Sequence, residues 1–89
     1  MANRTHEKAE LDEGFNDTIV EAVWRKGEIL PGGDPDNCRK DSCGAWIDRD
    51  QYGVSAENGW AIDHIIPVSQ GGTDNLNNLQ PMHWKNKKV

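Results

Sequence analysis

Apolar positions along the chain fall into one helical stripe and a few short runs, separated by stretches rich in glycine, proline, asparagine and aspartate. In the stripe, Ile19, Val20, Val23 and Trp24 recur at i, i+1, i+4 and i+5, on one face of a helix. Asn16 or Asp17 can cap that helix, Arg25 and Lys26 complement the dipole at its end, and Gly27 suits a left-handed stop. Residues 27–37 carry successive turn signals in Pro31, Gly32-Gly33 and Asp34-Pro35. Ala45-Trp46-Ile47 reads as a short strand and Tyr52-Gly53 as a candidate second one. Ile62-Asp63-His64-Ile65-Ile66 is an apolar, β-branched run that reads as a buried strand, although it holds an adjacent carboxylate and imidazole. A Gly- and Asn-rich loop follows, then a second run, Asn78-Leu79-Gln80-Pro81-Met82. The segment from His83 to Lys88 can form one or two turns of helix.

At 89 residues the chain makes one small domain, near the lower limit at which a core holds without help. Residues 1–15 read as a flexible polar tail and 16–89 as the domain. Only 35% of residues are apolar, but four are tryptophans, each of which buries a large area. Trp24, Trp46, Trp60 and Trp84 are therefore expected in the core. No apolar run approaches the roughly 20 residues that span a bilayer. The N-terminus lacks the apolar core of a signal peptide, so the expected location is the cytoplasm, without a membrane partner.

The net charge of −5 argues against a nucleic-acid partner until its distribution is considered. Residues 1–36 hold nine acids and four bases, whereas residues 37–89 hold six of each. All the excess negative charge lies in the N-terminal third, and the C-terminal segment ends in a basic cluster of Lys85, Lys87 and Lys88. Those lysines, with Arg39 and Lys40, are candidates for phosphate contact. Non-specific affinity for DNA should still be low, because few cations are present to displace counterions.

The chemistry-bearing residues concentrate after Trp60. Asp63 can ligate a hard divalent cation through oxygen, and His64 suits general-base work near neutral pH. Asn78 and Asn86 offer amides that can orient an imidazole or ligate a metal. Together a divalent ion and an imidazole suffice to hydrolyse a phosphodiester. Neighbouring strand residues point to opposite faces. For Asp63 and His64 to serve one ion, the strand must be distorted or end there, and Pro67 fits an ending. Cys38 and Cys43 could be half a zinc site, but a closed site needs four ligands and only His83 is a further conventional one. The plainer reading is two small buried or half-buried thiols.

Asp63-His64-Ile65-Ile66-Pro67, Gly71-Gly72-Thr73-Asp74-Asn75, Asn78-Leu79-Gln80-Pro81 and His83-Trp84-Lys85-Asn86 together resemble the HNH endonuclease family. Trp24, Arg39-Lys40-Asp41, Cys43-Gly44-Ala45-Trp46-Ile47, Tyr52-Gly53 and Gly59-Trp60 resemble its small bacterial and phage members, so the likeness covers about residues 24–86. It implies an α+β fold with an N-terminal helix, a short antiparallel sheet and a C-terminal ββα-metal (His-Me) finger. It also implies a metal-dependent DNA endonuclease that leaves a 5′-phosphate and a 3′-hydroxyl, nicking rather than cutting both strands if it acts as a monomer. By the same resemblance Asp63 would be a metal ligand, His64 the general base and Asn78 the group that holds the imidazole. Mg²⁺ or Mn²⁺ suits an oxygen-rich site better than Zn²⁺ does. The family's last ligand falls on Lys87, which cannot ligate, leaving Asn86, His83 or no protein ligand. Cys43 and Cys38 sit where zinc-stapled relatives carry one Cys pair, with His83 and Asn86 in place of the second. Lys87 and the acidic balance keep open a weak or inactive HNH-fold module that binds nucleic acid or joins an assembly. A homodimer or a larger phage or bacterial DNA-processing complex is compatible with either reading.

Overall fold

The computed structural model describes residues 14–87. Its first element is helix α1, Asp17–Trp24. The Asn16 side chain caps it by accepting a hydrogen bond from the Ile19 N–H at 2.9 Å, and Val20, Val23 and Trp24 bury its apolar face. Gly27 is not the left-handed stop expected of it, since it lies outside the residues with positive φ. The helix closes instead through tight bonds from Lys26 N–H to Val23 O and from Gly27 N–H to Trp24 O, both 3.0 Å. Gly27 matters for packing: a Cβ there would lie 3.1 Å from the Cβ of Arg39.

Two two-stranded antiparallel sheets follow, where one short sheet was expected. In the first, β1 (Cys38–Lys40) pairs with β2 (Trp46–Asp48), and Glu28 bridges to Lys40 on its other side. In the second, β3 (Trp60–His64) pairs with β4 (Leu79–His83) in the register Trp60 to His83 through His64 to Leu79. Pro81 is tolerated in β4 because a two-stranded sheet leaves each strand an unpaired side. Tyr52-Gly53 is not a strand: Tyr52 makes a single parallel bridge to Trp60 after a 3₁₀ turn at Arg49–Gln51. The final segment forms only a short 3₁₀ turn, Trp84–Asn86.

The core gathers Val20, Val23, Trp24, Ile47, Tyr52, Trp60, Ile62 and Leu79. Trp60 sits at its centre, 5.4 Å from the Trp24 ring and 4.9 Å from the Tyr52 ring between centroids. Each indole N–H finds a carbonyl: Trp24 donates to Pro35 O and Trp60 to Arg49 O. Loss of either buried indole would cost about 3–5 kcal/mol, a large share of a small domain's stability. Trp46, expected in the core, is 54% exposed. Strand alternation admits only one of Trp46 and Ile47 to the interior, and Ile47 occupies that place. Phe15 and Ile19 pack on the core edge, and residues 1–13 of the expected tail lie outside the described residues. No described helix is long and apolar enough to cross a membrane.

Candidate active site

Strand β3 ends at His64, two residues earlier than its apolar run suggested. Ile65 and Ile66 are 43% and 53% exposed. The reason is Asn78. Its Oδ1 accepts from the Ile66 N–H at 2.8 Å, and its Nδ2 donates to Ile66 O at 3.1 Å and to Thr73 O at 2.8 Å. A side chain thus satisfies the backbone groups of Ile66 that a continuing sheet ladder would have used, and the chain turns outward. Asn78 lies in a 3₁₀ turn, Leu76–Asn78, just before β4 rather than opening it.

This clamp closes the loop from Ile66 to Thr73 and places Asp74 against His64. The His64 Nε2 is 2.7 Å from Asp74 Oδ1. An ionised carboxylate only accepts, so Nε2 carries the hydrogen and donates it. Among the described residues no hydrogen bond engages Nδ1 of His64. The imidazole is therefore held by Asp74, and Asn78 acts on it at one remove, through the loop. Gly72 makes the closure possible, since a Cβ there would overlap the carbonyl oxygen of Ile66.

Asp63, one residue before, is 2% exposed and accepts a hydrogen bond from Nε2 of its cross-strand neighbour Gln80 at 3.1 Å. It belongs to the sheet side of β3, whereas His64 belongs to the loop.

The residues weighed as a last metal ligand lie elsewhere. Asp41, 1% exposed, stands between the β1–β2 turn and the end of β4. Its Oδ1 accepts from the Cys43 N–H at 2.9 Å and the Ala45 N–H at 2.8 Å. Its Oδ2 accepts from the His83 N–H at 2.9 Å and the Asn86 Nδ2 at 3.2 Å. Burial alone would raise its pKa, but the donors from His83, Ala45, Asn86 and Cys43 together outweigh it and hold the carboxyl below its usual value. His83 is occupied on both ring nitrogens: Nε2–H donates to Glu57 O at 2.7 Å, and Nδ1 accepts from the Lys85 N–H at 3.1 Å. Among the described residues no group of three or more His, Cys, Asp or Glu could hold a metal ion.

A zinc staple fits no better. Cys38 and Cys43 are free. Partial burial, then the Asp48 carboxylate across the sheet, push the Cys38 thiol up, away from the thiolate a metal needs. Asp41 does the joining instead. It ties its own turn to His83 and Asn86.

Of the candidate phosphate-binding cations, Arg39 is committed to the fold. It is 8% exposed, donates to Pro35 O, Arg25 O and Gly27 O, and lies 5.8 Å from the Trp24 ring. The Lys85 ammonium sits 5.4 Å from the Trp84 ring centroid, in the last turn. Lys40 is half-buried on β1, Lys87 follows the last turn, and Lys88 lies outside the described residues.

Asp41 and Asp74 had no role assigned from the sequence alone. For Asp41 a signal existed: an Asp whose carboxylate can meet the N–H two residues on, followed by Gly44 at φ +84, is the pattern of an Asx turn. Asp74 offered none, because its partner is ten residues away across a loop.

A family model described as HNH endonuclease matches residues 41–85, just over half of the chain. No curated protein and no solved structure matches it.

Proposed function

Since the chain belongs to the HNH endonuclease family, we propose that it hydrolyses phosphodiester bonds of DNA, with His64 as the general base. The observation that supports this most is the state of the His64 ring. It stands at the end of β3 with Nε2 donating to Asp74, and no described residue engages Nδ1. Nδ1 accepts a proton from a water as the water oxygen bonds to phosphorus. The P–O3′ bond breaks, and the 3′ oxygen takes a proton from solvent. The products carry a 5′-phosphate and a 3′-hydroxyl. One such site in a monomer nicks a duplex. Lys85, Lys87 and Lys40 are the cations proposed to meet phosphates near it, and each such contact contributes to a salt-dependent affinity.

Nucleases of this family typically use a divalent metal, and Mg²⁺ or Mn²⁺ is the ion proposed here. Asp63, the carboxylate adjacent to His64 in sequence, is the residue that would hold the ion, which would stabilise charge on the phosphoryl oxygens.

The test is nicking of supercoiled plasmid in Mg²⁺ or Mn²⁺, with EDTA as the control. His64→Ala is expected to abolish nicking while its thermal unfolding stays near that of the parent. Undiminished nicking by that variant would sink the proposal. A second reading, a non-cleaving module that binds nucleic acid, is favoured by one observation: His83 and Asn86 face Asp41 and Glu57 rather than Asp63. It predicts no nicking by the parent in either ion, together with DNA binding that weakens as salt rises.

A further inference from the structure

We infer that Asp74 is the positioning residue for His64, holding the imidazole in its Nε2–H tautomer so that the Nδ1 lone pair is the one offered to water. The inference rests on the general-base reading of His64 and goes beyond it by naming what orients the base. An unassisted imidazole exchanges its proton between both nitrogens and turns about its χ angles. A neutral ring is a base only at the nitrogen that lacks the hydrogen. Three contacts remove that freedom. Nε2 lies 2.7 Å from Asp74 Oδ1, a charge-assisted distance. The Phe15 ring stands 6.3 Å from the imidazole at 47°, restricting one side. The loop that carries Asp74 is closed by Asn78 on the Thr73 carbonyl, one residue away.

The carboxylate also faces the charge that forms. When Nδ1 accepts a proton the ring becomes an imidazolium, and an anion on Nε2–H favours that product. Asp74 is 73% exposed, so water screens part of this attraction. Fixing the tautomer is consequently the larger share of its effect. Removing the hydrogen-bond partner behind a metal-ligating histidine typically costs about 10–100-fold in affinity or activity, and the same scale is taken for a partner that fixes the tautomer of a base. The exposure of Asp74 places the expected loss toward the lower figure.

The experiment pairs Asp74→Asn with Asp74→Glu and reads two things. Long-range ¹⁵N–¹H spectra of the free protein, taken at about pH 8 where a histidine side chain is ordinarily neutral, report which ring nitrogen of His64 carries hydrogen. The parent should show the Nε2–H form. Asp74→Asn should show a mixture or the Nδ1–H form, since its amide can donate to Nε2. Plasmid nicking should fall about tenfold or more in kcat for Asp74→Asn with KM changed less than twofold, and Asp74→Glu should recover most of it. A His64 that is Nδ1–H in the parent, or whose tautomer is the same in Asp74→Asn, overturns the inference whatever the nicking rate. A parent that nicks nothing overturns the nuclease reading and the catalytic meaning of Asp74 with it. The tautomer spectra still decide whether Asp74 sets the ring, so the two failures are told apart.

Discussion

Replacing Asp41 by Asn is the sharpest test of how this small domain holds its last turn. The substitution keeps shape and volume but exchanges one acceptor oxygen for an NH₂ donor and removes the charge. Asp41 accepts four hydrogen bonds, two at each oxygen. Turning the new amide so that its oxygen stays on Cys43 and Ala45 points its NH₂ at the His83 N–H and the Asn86 amide. The Asn86 amide can flip to present its oxygen, but the backbone N–H of His83 cannot. The least costly arrangement therefore leaves one buried donor facing another, and weakens the remaining bonds by loss of charge. Hydrogen bonds to a charged group contribute about 1.5–3 kcal/mol each, and a stranded buried donor costs about 1–3 kcal/mol. The variant should lose about 3 kcal/mol or more, which for a domain of this size lowers Tm by about 12 °C or more. Urea unfolding followed by tryptophan fluorescence measures it. The pH dependence gives a second arm. The folded pKa of Asp41 is lowered, so its stabilisation is complete above the usual aspartate value of about 3.9. It is lost as the pH falls from there through the folded value. The gap between parent and variant should accordingly be wide at about pH 7 and narrow progressively below about pH 4. A loss under about 1 kcal/mol at neutral pH, or a gap that does not narrow in acid, would refute the reasoning.

Two further perturbations probe the loop that carries Asp74. Asn78→Ala removes three hydrogen bonds to Ile66 and Thr73. It should cost about 2–4 kcal/mol in urea unfolding, with faster exchange of the Ile66 amide; an unchanged Ile66 exchange rate would count against the clamp. Gly72→Ala and Gly71→Ala should differ in degree. Gly71 has φ +92 with open space around it, so alanine there costs about 1–2 kcal/mol of backbone strain. At Gly72 the added carbon meets the Ile66 carbonyl, so the loss of thermal stability should be clearly larger, and the reverse ranking would contradict the loop geometry.

What could be read from the residues divides along a physical line. The helical stripe, the strand at Trp46-Ile47 and the two paired runs near the C-terminus were legible, because each depends on local periodicity and capping. The family was legible because its motifs are ordered along the chain. The failures come where contacts between distant residues decide. Gly27 looked like a helix stop but serves to admit Arg39. Arg39 looked like a phosphate ligand, yet three carbonyls and an indole hold it inside. Trp46 looked like core and lost that place to its neighbour by strand alternation. Asn78 was expected on the imidazole and instead sets the loop that brings Asp74 there. For Arg39 and Asn78 the residue type was read correctly, and what could not be read was which distant backbone group would meet it.

Strand alternation also explains why Asp63 and His64 meet different partners. Two side chains adjacent in sequence share one ion only if the strand between them stops being a strand. Here β3 keeps its register through His64, so Asp63 is committed to the sheet, where it meets Gln80, and His64 to the loop, where it meets Asp74. The carboxylate within reach of the imidazole is consequently the one ten residues on, not the one beside it. Asp41 repeats the pattern at the other end of β4, joining elements 42 residues apart through the His83 N–H. Two loop aspartates thus make the long-range contacts of this region: Asp74 meets the His64 imidazole, and Asp41 binds the last turn to the first sheet.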